Sequence, residues 1–233
     1  VLGEARIAVV VPAYCEERLI ARMLRRVPSY VDRIYVVDDA SPDGTLAAAR
    51  GVTDPRVVLV RHAQNRGVGA AIVTGYRAAL ADAHDVVAVM AGDDQMHPDD
   101  LEPLVRAVLG GADYAKGNRF IHPEARRMPL ARRWGGGFLS AVTRRATGLP
   151  IGDSQCGFTA LSAGAAGALP LDELWPRYGY PNDLLLLLAA GGLCVVEVPV
   201  RPVYADERSG LRPWHVVRIL SVIARRYLAT RRR

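Results

Sequence analysis

The chain has 233 residues, half of them hydrophobic, with 30 Lys and Arg against 24 Asp and Glu and three cysteines. That length and composition suit one α/β domain whose core needs no disulfide or structural metal, and they exclude a disordered segment. Cys15, Cys156 and Cys194 form no CxxC pair, which argues for a reduced, cytosolic setting rather than a disulfide framework. No charged leader and apolar run open the chain, and no stretch approaches about 20 continuous apolar residues, so neither a signal peptide nor a complete membrane span is expected.

In chain order, the pattern predicts a strand over 7–11, a helix over about 16–27, a strand over 34–37 and a helix over about 45–50. A strand over 57–60, a helix over 70–81, a strand over 86–90 and a helix over 99–109 follow with short links. Apolar runs alternating with helical segments imply βαβ units and a largely parallel sheet covered on both faces. From Tyr114 the alternation is less regular and Gly and Pro are more frequent, consistent with an acceptor-side extension of the same domain. Residues 1–112 are read as the ligand-binding half and 113–212 as the second half, with 213–233 a basic amphipathic helix.

Two strands end in carboxylates. Ile34–Val37 runs into Asp38 and Asp39, and the apolar run at 86–90 reaches Asp93, Asp94 and Gln95 through Ala91 and Gly92. Open α/β sheets bind ligands at the carboxyl ends of their strands, so this pairing points to a nucleotide and a divalent cation in one crevice. Carboxylate and carboxamide oxygens suit Mg²⁺ or Mn²⁺, which neutralise a departing diphosphate. Asn65-Arg66-Gly67-Val68-Gly69 satisfies neither the Walker nor the dinucleotide pattern; Gly67 and Gly69 serve either a tight turn before a packed helix or close approach of a ligand.

These segments, in this order, resemble family 2 inverting glycosyltransferases of the GT-A fold, especially the dolichol- and polyprenol-phosphate sugar transferases. The resemblance rests on Val11-Pro12-Ala13-Tyr14-Cys15-Glu16, Val37-Asp38-Asp39-Ala40-Ser41-Pro42-Asp43-Gly44-Thr45, the glycine segment at 65–69, Gly92-Asp93-Asp94-Gln95 and Asp153-Ser154-Gln155-Cys156-Gly157-Phe158. It implies a Rossmann-like, mostly parallel sheet flanked by helices on both faces. It further implies that Pro12, Tyr14, Glu16, Asp39, Gly67, Gly69, Asp93 and Arg201 contact a nucleotide-sugar, and that Asp93, with Gln95 and Asp94, holds Mg²⁺ or Mn²⁺. Asp183, in Tyr180-Pro181-Asn182-Asp183, falls in the counterpart of the family's acid-rich segment and is implied as the catalytic base for a hydroxyl acceptor, in competition with a role as helix cap or organiser. Arg119, Gln155, Arg208 and Ser209 are the acceptor or phosphate candidates. Two departures stand out: Cys15 replaces the usual Asn, and Ala91 replaces the first aspartate of the metal motif.

The expected reaction is transfer of a sugar with inversion from a GDP-mannose-like or UDP-glucose-like donor to polyprenyl phosphate. A glycan or small-molecule hydroxyl is the alternative acceptor, and a weakly catalytic nucleotide-sugar-binding protein the alternative class. After Glu207 come eight arginines and no acid, leaving the preceding chain with 22 basic and 24 acidic residues. Charge placed in a tail argues against a nucleic-acid partner and for an anionic membrane surface on the cytoplasmic side. Trp214, Val217, Leu220 and Ile223 give an apolar stripe at helical spacing that fits such a surface.

Overall fold

Strand β1 (Ile7–Ala13) is buried along its whole length, as expected of a continuous apolar run covered on both faces. The computed structural model describes residues 2–203 and 213–230. Helix α1 (Ile20–Arg26) starts later than the apolar pattern suggests, because the Glu16 carbonyl first closes a turn on the Leu19 and Ile20 amides. The alternation continues through β2 (Arg33–Asp38), α2 (Thr45–Arg50), β3 (Val57–Arg61), α3 (Val68–Ala81), β4 (Val86–Val89) and α4 (Leu101–Leu109). The second half adds β5 (Tyr114–Asn118), α5 (Leu130–Thr147), β6 (Thr159–Ser162), α6 (Ala163–Ala168), α7 (Tyr180–Ala190), β7 (Val195–Pro199) and α8 (Pro213–Thr230).

These strands form one sheet of seven in the order β3-β2-β1-β4-β6-β5-β7. Only β6 runs against its neighbours; the β1–β2, β2–β3, β1–β4 and β5–β7 pairs are parallel. The expected architecture is therefore present, with one antiparallel strand inserted. Alternate side chains of each strand serve opposite layers. Val9, Val11, Ile34 and Val36 pack with α1 and α4 on one face, while Val10 and Tyr35 pack with α3 and α7 on the other.

Helix α8 departs from expectation. Its inward face is Ile219, Val222, Ile223 and Arg226, whereas Trp214 and Val217 of the expected stripe are 57% and 69% exposed. Leu139 of α5 and Leu186 of α7 supply the apolar surface that sets this phase. Arg218 and Arg225, expected at lipid headgroups, lie over the Trp175 ring at 5.5 and 5.0 Å. Among the described residues, no helix is long and apolar enough to cross a membrane.

Candidate active site

Parallel strands bring their carboxyl ends to one rim of the sheet, where a cavity of about 290 Å³ opens. Pro12 at the end of β1 and Ala91, Asp93 and Gln95 beyond β4 line it together with Arg119, Gln155, Tyr180 and Arg201. Asp93 is braced by the Gln95 amide, which donates to its Oδ1 at 3.1 Å. The next residue takes the opposite course. Asp94 has a φ of 55°, and its carboxylate meets Arg22 Nε at 2.6 Å and Arg26 Nη1 at 2.8 Å. Those bonds correct the reading of Asp94 as a metal ligand: its oxygens are spent on tying the β4 loop to α1.

Arg119 follows β5 and donates to the fully buried Asp153 through Nε at 2.7 Å and Nη2 at 3.0 Å. Burial alone would raise the Asp153 pKa; the charge and hydrogen bonds of Arg119, with Lys116 nearby, outweigh it and hold the carboxyl below its ordinary value. Glu197 of β7 fixes the same loop by accepting the Gly152 and Asp153 amides, each at 2.9 Å. Lys116 is wholly buried and donates to the Cys156 carbonyl, and burial lowers its pKa. Arg201 is held by its own amide to Asp100 at 2.7 Å, and by Nη1 to His97 at 2.6 Å and Asp99 at 3.2 Å. Both arginines thus reach the cavity already oriented by carboxylates. Gln155 donates to Ser154 at 2.8 Å and to Asn182 at 3.1 Å, and Asn182 in turn donates to Thr143 at 2.7 Å.

Other expected site residues do not line the cavity. Asp39 is buried and receives the Arg66 amide at 2.8 Å, the Gly67 amide at 2.7 Å and the His62 ring at 2.6 Å. Its carboxylate pins the loop before α3, with two donors on Oδ1 and one on Oδ2. Gly67, at φ 98°, and Gly69 serve packing. A Cβ on Gly67 would stand 2.4 Å from the Pro176 carbonyl, and one on Gly69 would stand 2.3 Å from that of Trp175. The two glycines admit the 175–177 segment against α3 rather than a ligand.

Asp183 is fully buried. Its Oδ2 accepts the Trp175 amide at 2.8 Å and Arg226 Nη2 at 3.0 Å, and its Oδ1 accepts Arg226 Nε at 2.8 Å. A carboxylate so enclosed is not placed to take a proton from an acceptor; it organises α7, α8 and the 175–177 segment. Nor does it cap its helix, since Gly179 holds the N-cap position of α7.

Tyr14 and Glu16 stay at the β1 rim, Tyr14 47% exposed and Glu16 half-buried. Gly92 brings the β4 loop against them, since a Cβ there would stand 3.4 Å from Glu16 Cγ. The sequence reading paired Asp38 with Asp39 at this strand end and missed the separate surroundings of Asp38. Its Oδ1 accepts the Ser41 amide at 3.1 Å, while its buried Oδ2 has no hydrogen-bond partner and only a 3.4 Å ion pair with Arg61. Strand parity is the signal that could have found it: Asp38 shares a face with Ile34 and Val36, while the next side chain turns toward the loop before α3. Arg208 and Ser209 lie outside the described residues.

Residues 8–165 match the profile of glycosyl transferase family 2. An undecaprenyl-phosphate mannosyltransferase of Micrococcus luteus is 32% identical, over 84% of this chain and 82% of its own. A UDP-N-acetylglucosamine–dolichyl-phosphate N-acetylglucosaminyltransferase of Methanococcus voltae is 28% identical, over 88% of each chain. Among solved structures, glucosyl-3-phosphoglycerate synthase of Mycobacterium tuberculosis, in complex with Mn²⁺, UDP-glucose and phosphoglyceric acid, aligns with 96% of this chain and 80% of its own, at a TM-score of 0.72 and 22% identity. The expectation of a polyprenyl phosphate acceptor is corrected by that match. The fold that suggested it also serves an enzyme whose partner molecule is a small phosphorylated hydroxy acid, so neither fold nor motif order selects a lipid phosphate. The sheet topology, the cavity at the strand ends and the profile match together place the chain in glycosyl transferase family 2.

Proposed function

We propose that this protein transfers a sugar, with inversion, from a nucleotide-sugar to a hydroxyl group of a small-molecule or glycan acceptor, using a divalent cation. The observation that carries this reading is the shared cavity, in which Asp93 and Gln95 stand on the β4 side with Arg119, Gln155 and Arg201 on the remaining walls. Among the described residues, no group of three or more His, Cys, Asp or Glu side chains is placed to hold a metal. Mg²⁺ and Mn²⁺ do not need one, because one or two hard oxygen ligands suffice when substrate phosphates and water fill the other positions. Asp93, with the Gln95 carboxamide beside it, fits that pattern. When bound, the cation supplies charge neutralisation at the departing diphosphate.

The chain's own residues do the rest. Asp38 and Asp39 bring a pair of carboxylates to the carboxyl end of β2, the edge of the sheet at which a nucleotide binds. Arg119 and Arg201 aim charged N–H groups at developing negative charge, and their carboxylate partners keep them from rearranging as the reaction proceeds. Gln155, fixed by Ser154 and Asn182, orients the acceptor.

A matrix of UDP- and GDP-sugars with Mg²⁺ or Mn²⁺ tests the reading, using phosphoglycerate, simple glycosides and a short polyprenyl phosphate as acceptors. Metal-dependent transfer to a hydroxyl acceptor, abolished by Asp93→Ala, is expected. Transfer confined to the polyprenyl phosphate would overturn the acceptor assignment.

A further inference from the structure

Helix α5 carries an apolar face that nothing among the described residues covers. Leu130, Trp134 and Phe138 recur every fourth residue and are 69%, 78% and 55% exposed, opposite the inward Leu139 and Thr143. Ile121, in the segment leading to the helix, is 54% exposed. A large side chain every fourth position lies along one helical stripe, and on a free surface such a stripe marks an interaction site.

The surrounding charge identifies the partner. Residues 120–150 contain six arginines and a single acid, Glu124, and Glu124 is paired with Arg127. Arg126, Arg133, Arg144 and Arg145 are exposed around the stripe. A second copy of this chain, related by a two-fold axis, would set these arginines against their own counterparts. A neutral apolar partner would leave them unused. An anionic bilayer satisfies both features, since Trp and Phe enter the boundary between headgroups and acyl chains while arginines stay among the phosphates. The helix also stands beside the cavity: Phe120, next to the cavity residue Arg119, comes within 2.9 Å of where a Gly136 Cβ would stand.

We infer that α5, through Leu130, Trp134 and Phe138 with the flanking arginines, docks this protein on an anionic lipid surface. The contact is separate from the acceptor chemistry, and from the role expected of α8, whose Ile219, Val222 and Ile223 are turned inward.

The test is co-sedimentation of the full chain with vesicles of phosphatidylcholine containing 30 mol% phosphatidylglycerol, against pure phosphatidylcholine, at low and high salt. Binding to the anionic vesicles is expected to weaken on the order of tenfold or more when the apolar anchors are lost in the Trp134→Ser, Phe138→Ser double variant. Weakening by salt is expected for the intact chain. Arg126→Glu with Arg133→Glu should abolish the preference for anionic vesicles while keeping the apolar anchors. Circular dichroism confirms that each variant is folded, and the exposure of all four positions favours that outcome. The inference is overturned by an intact chain that ignores both vesicle types, or by folded variants that bind as the intact chain does. It is equally overturned by sedimentation equilibrium showing a dimer that the double variant dissociates, which would assign the stripe to a second copy.

Discussion

Arg226 of α8 grips Asp183 of α7 with two parallel hydrogen bonds, Nε to Oδ1 at 2.8 Å and Nη2 to Oδ2 at 3.0 Å, in a place where Asp183 is fully buried and Arg226 nearly so. Glu173 completes the enclosure by accepting Nη1 at 2.9 Å. Breaking one side of such a pair leaves a buried charge alone. Arg226→Met is expected to cost about 3–5 kcal/mol, and pairing it with Asp183→Asn should restore much of that loss. Urea unfolding of the two single variants and the double variant measures the coupling; additive losses would show that the pair is not the link between α7 and α8.

Neighbouring aspartates after β4 should separate cleanly. Asp93→Ala is expected to slow transfer roughly 10²-fold or more at saturating metal, because a charge-stabilising contact to the diphosphate is lost. Asp94→Ala should leave turnover near that of the parent and lower the melting temperature, since its oxygens hold Arg22 and Arg26. The assignment fails if Asp94→Ala is as slow as Asp93→Ala in a protein equally folded.

A second adjacent pair divides in the same way. Asp38→Asn keeps an oxygen for the Ser41 amide and should change folding little, whereas Asp39→Asn turns one of two carboxylate oxygens facing backbone amides and His62 into an N–H donor and should both destabilise the loop before α3 and weaken nucleotide-sugar binding. Isothermal titration with the nucleotide and thermal unfolding of both variants decide the matter. Intact nucleotide affinity in a folded Asp39→Asn variant would assign the role to another residue.

Asp153 gives a pH dependence of known sign. Its folded pKa lies below the ordinary carboxyl value of 3.8 because Arg119 outweighs the effect of burial. The unfolded chain therefore binds the proton more readily, so this carboxylate contributes stability above the unfolded pKa and loses it as pH falls through the folded value. Asp153→Asn should be less stable than the parent at neutral pH, with the gap narrowing in acid. A gap that stays constant down to the acid limb would show that the contribution does not come from ionisation.

Much of the first half was legible because long apolar runs and helical spacing report burial directly, and β1 to α4 follow the expected order. Asp93 and Gln95 were legible as polar groups beyond a strand end, Arg119, Gln155 and Arg201 only through the family resemblance, and all five line one cavity. The errors share a cause: they depend on partners distant in sequence. Gly67 and Gly69 read equally as a packed turn or a ligand loop because the 175–177 segment that fills the space above them comes over a hundred residues later. Helix α8 is apolar at Val216, Ile219, Leu220, Val222 and Ile223 as well as at Trp214 and Val217, so several stripes fit, and Leu139 and Leu186 choose among them. Strand β6, only four residues long, offers too few positions for periodicity to register.

The position of β6 between β4 and β5 has a consequence for how the protein is made. Val89 pairs with Thr159, so the edge of β4 waits 70 residues of synthesis for its partner. At ordinary elongation speeds that wait is roughly 4 to 14 seconds. Throughout it, the growing chain displays an unpaired, wholly apolar strand of the kind that recruits other chains. Cellular yield should therefore depend on what shelters Val86–Val89 at the ribosome, and a chain halted between β4 and β6 should aggregate although most of its nucleotide-binding half is complete.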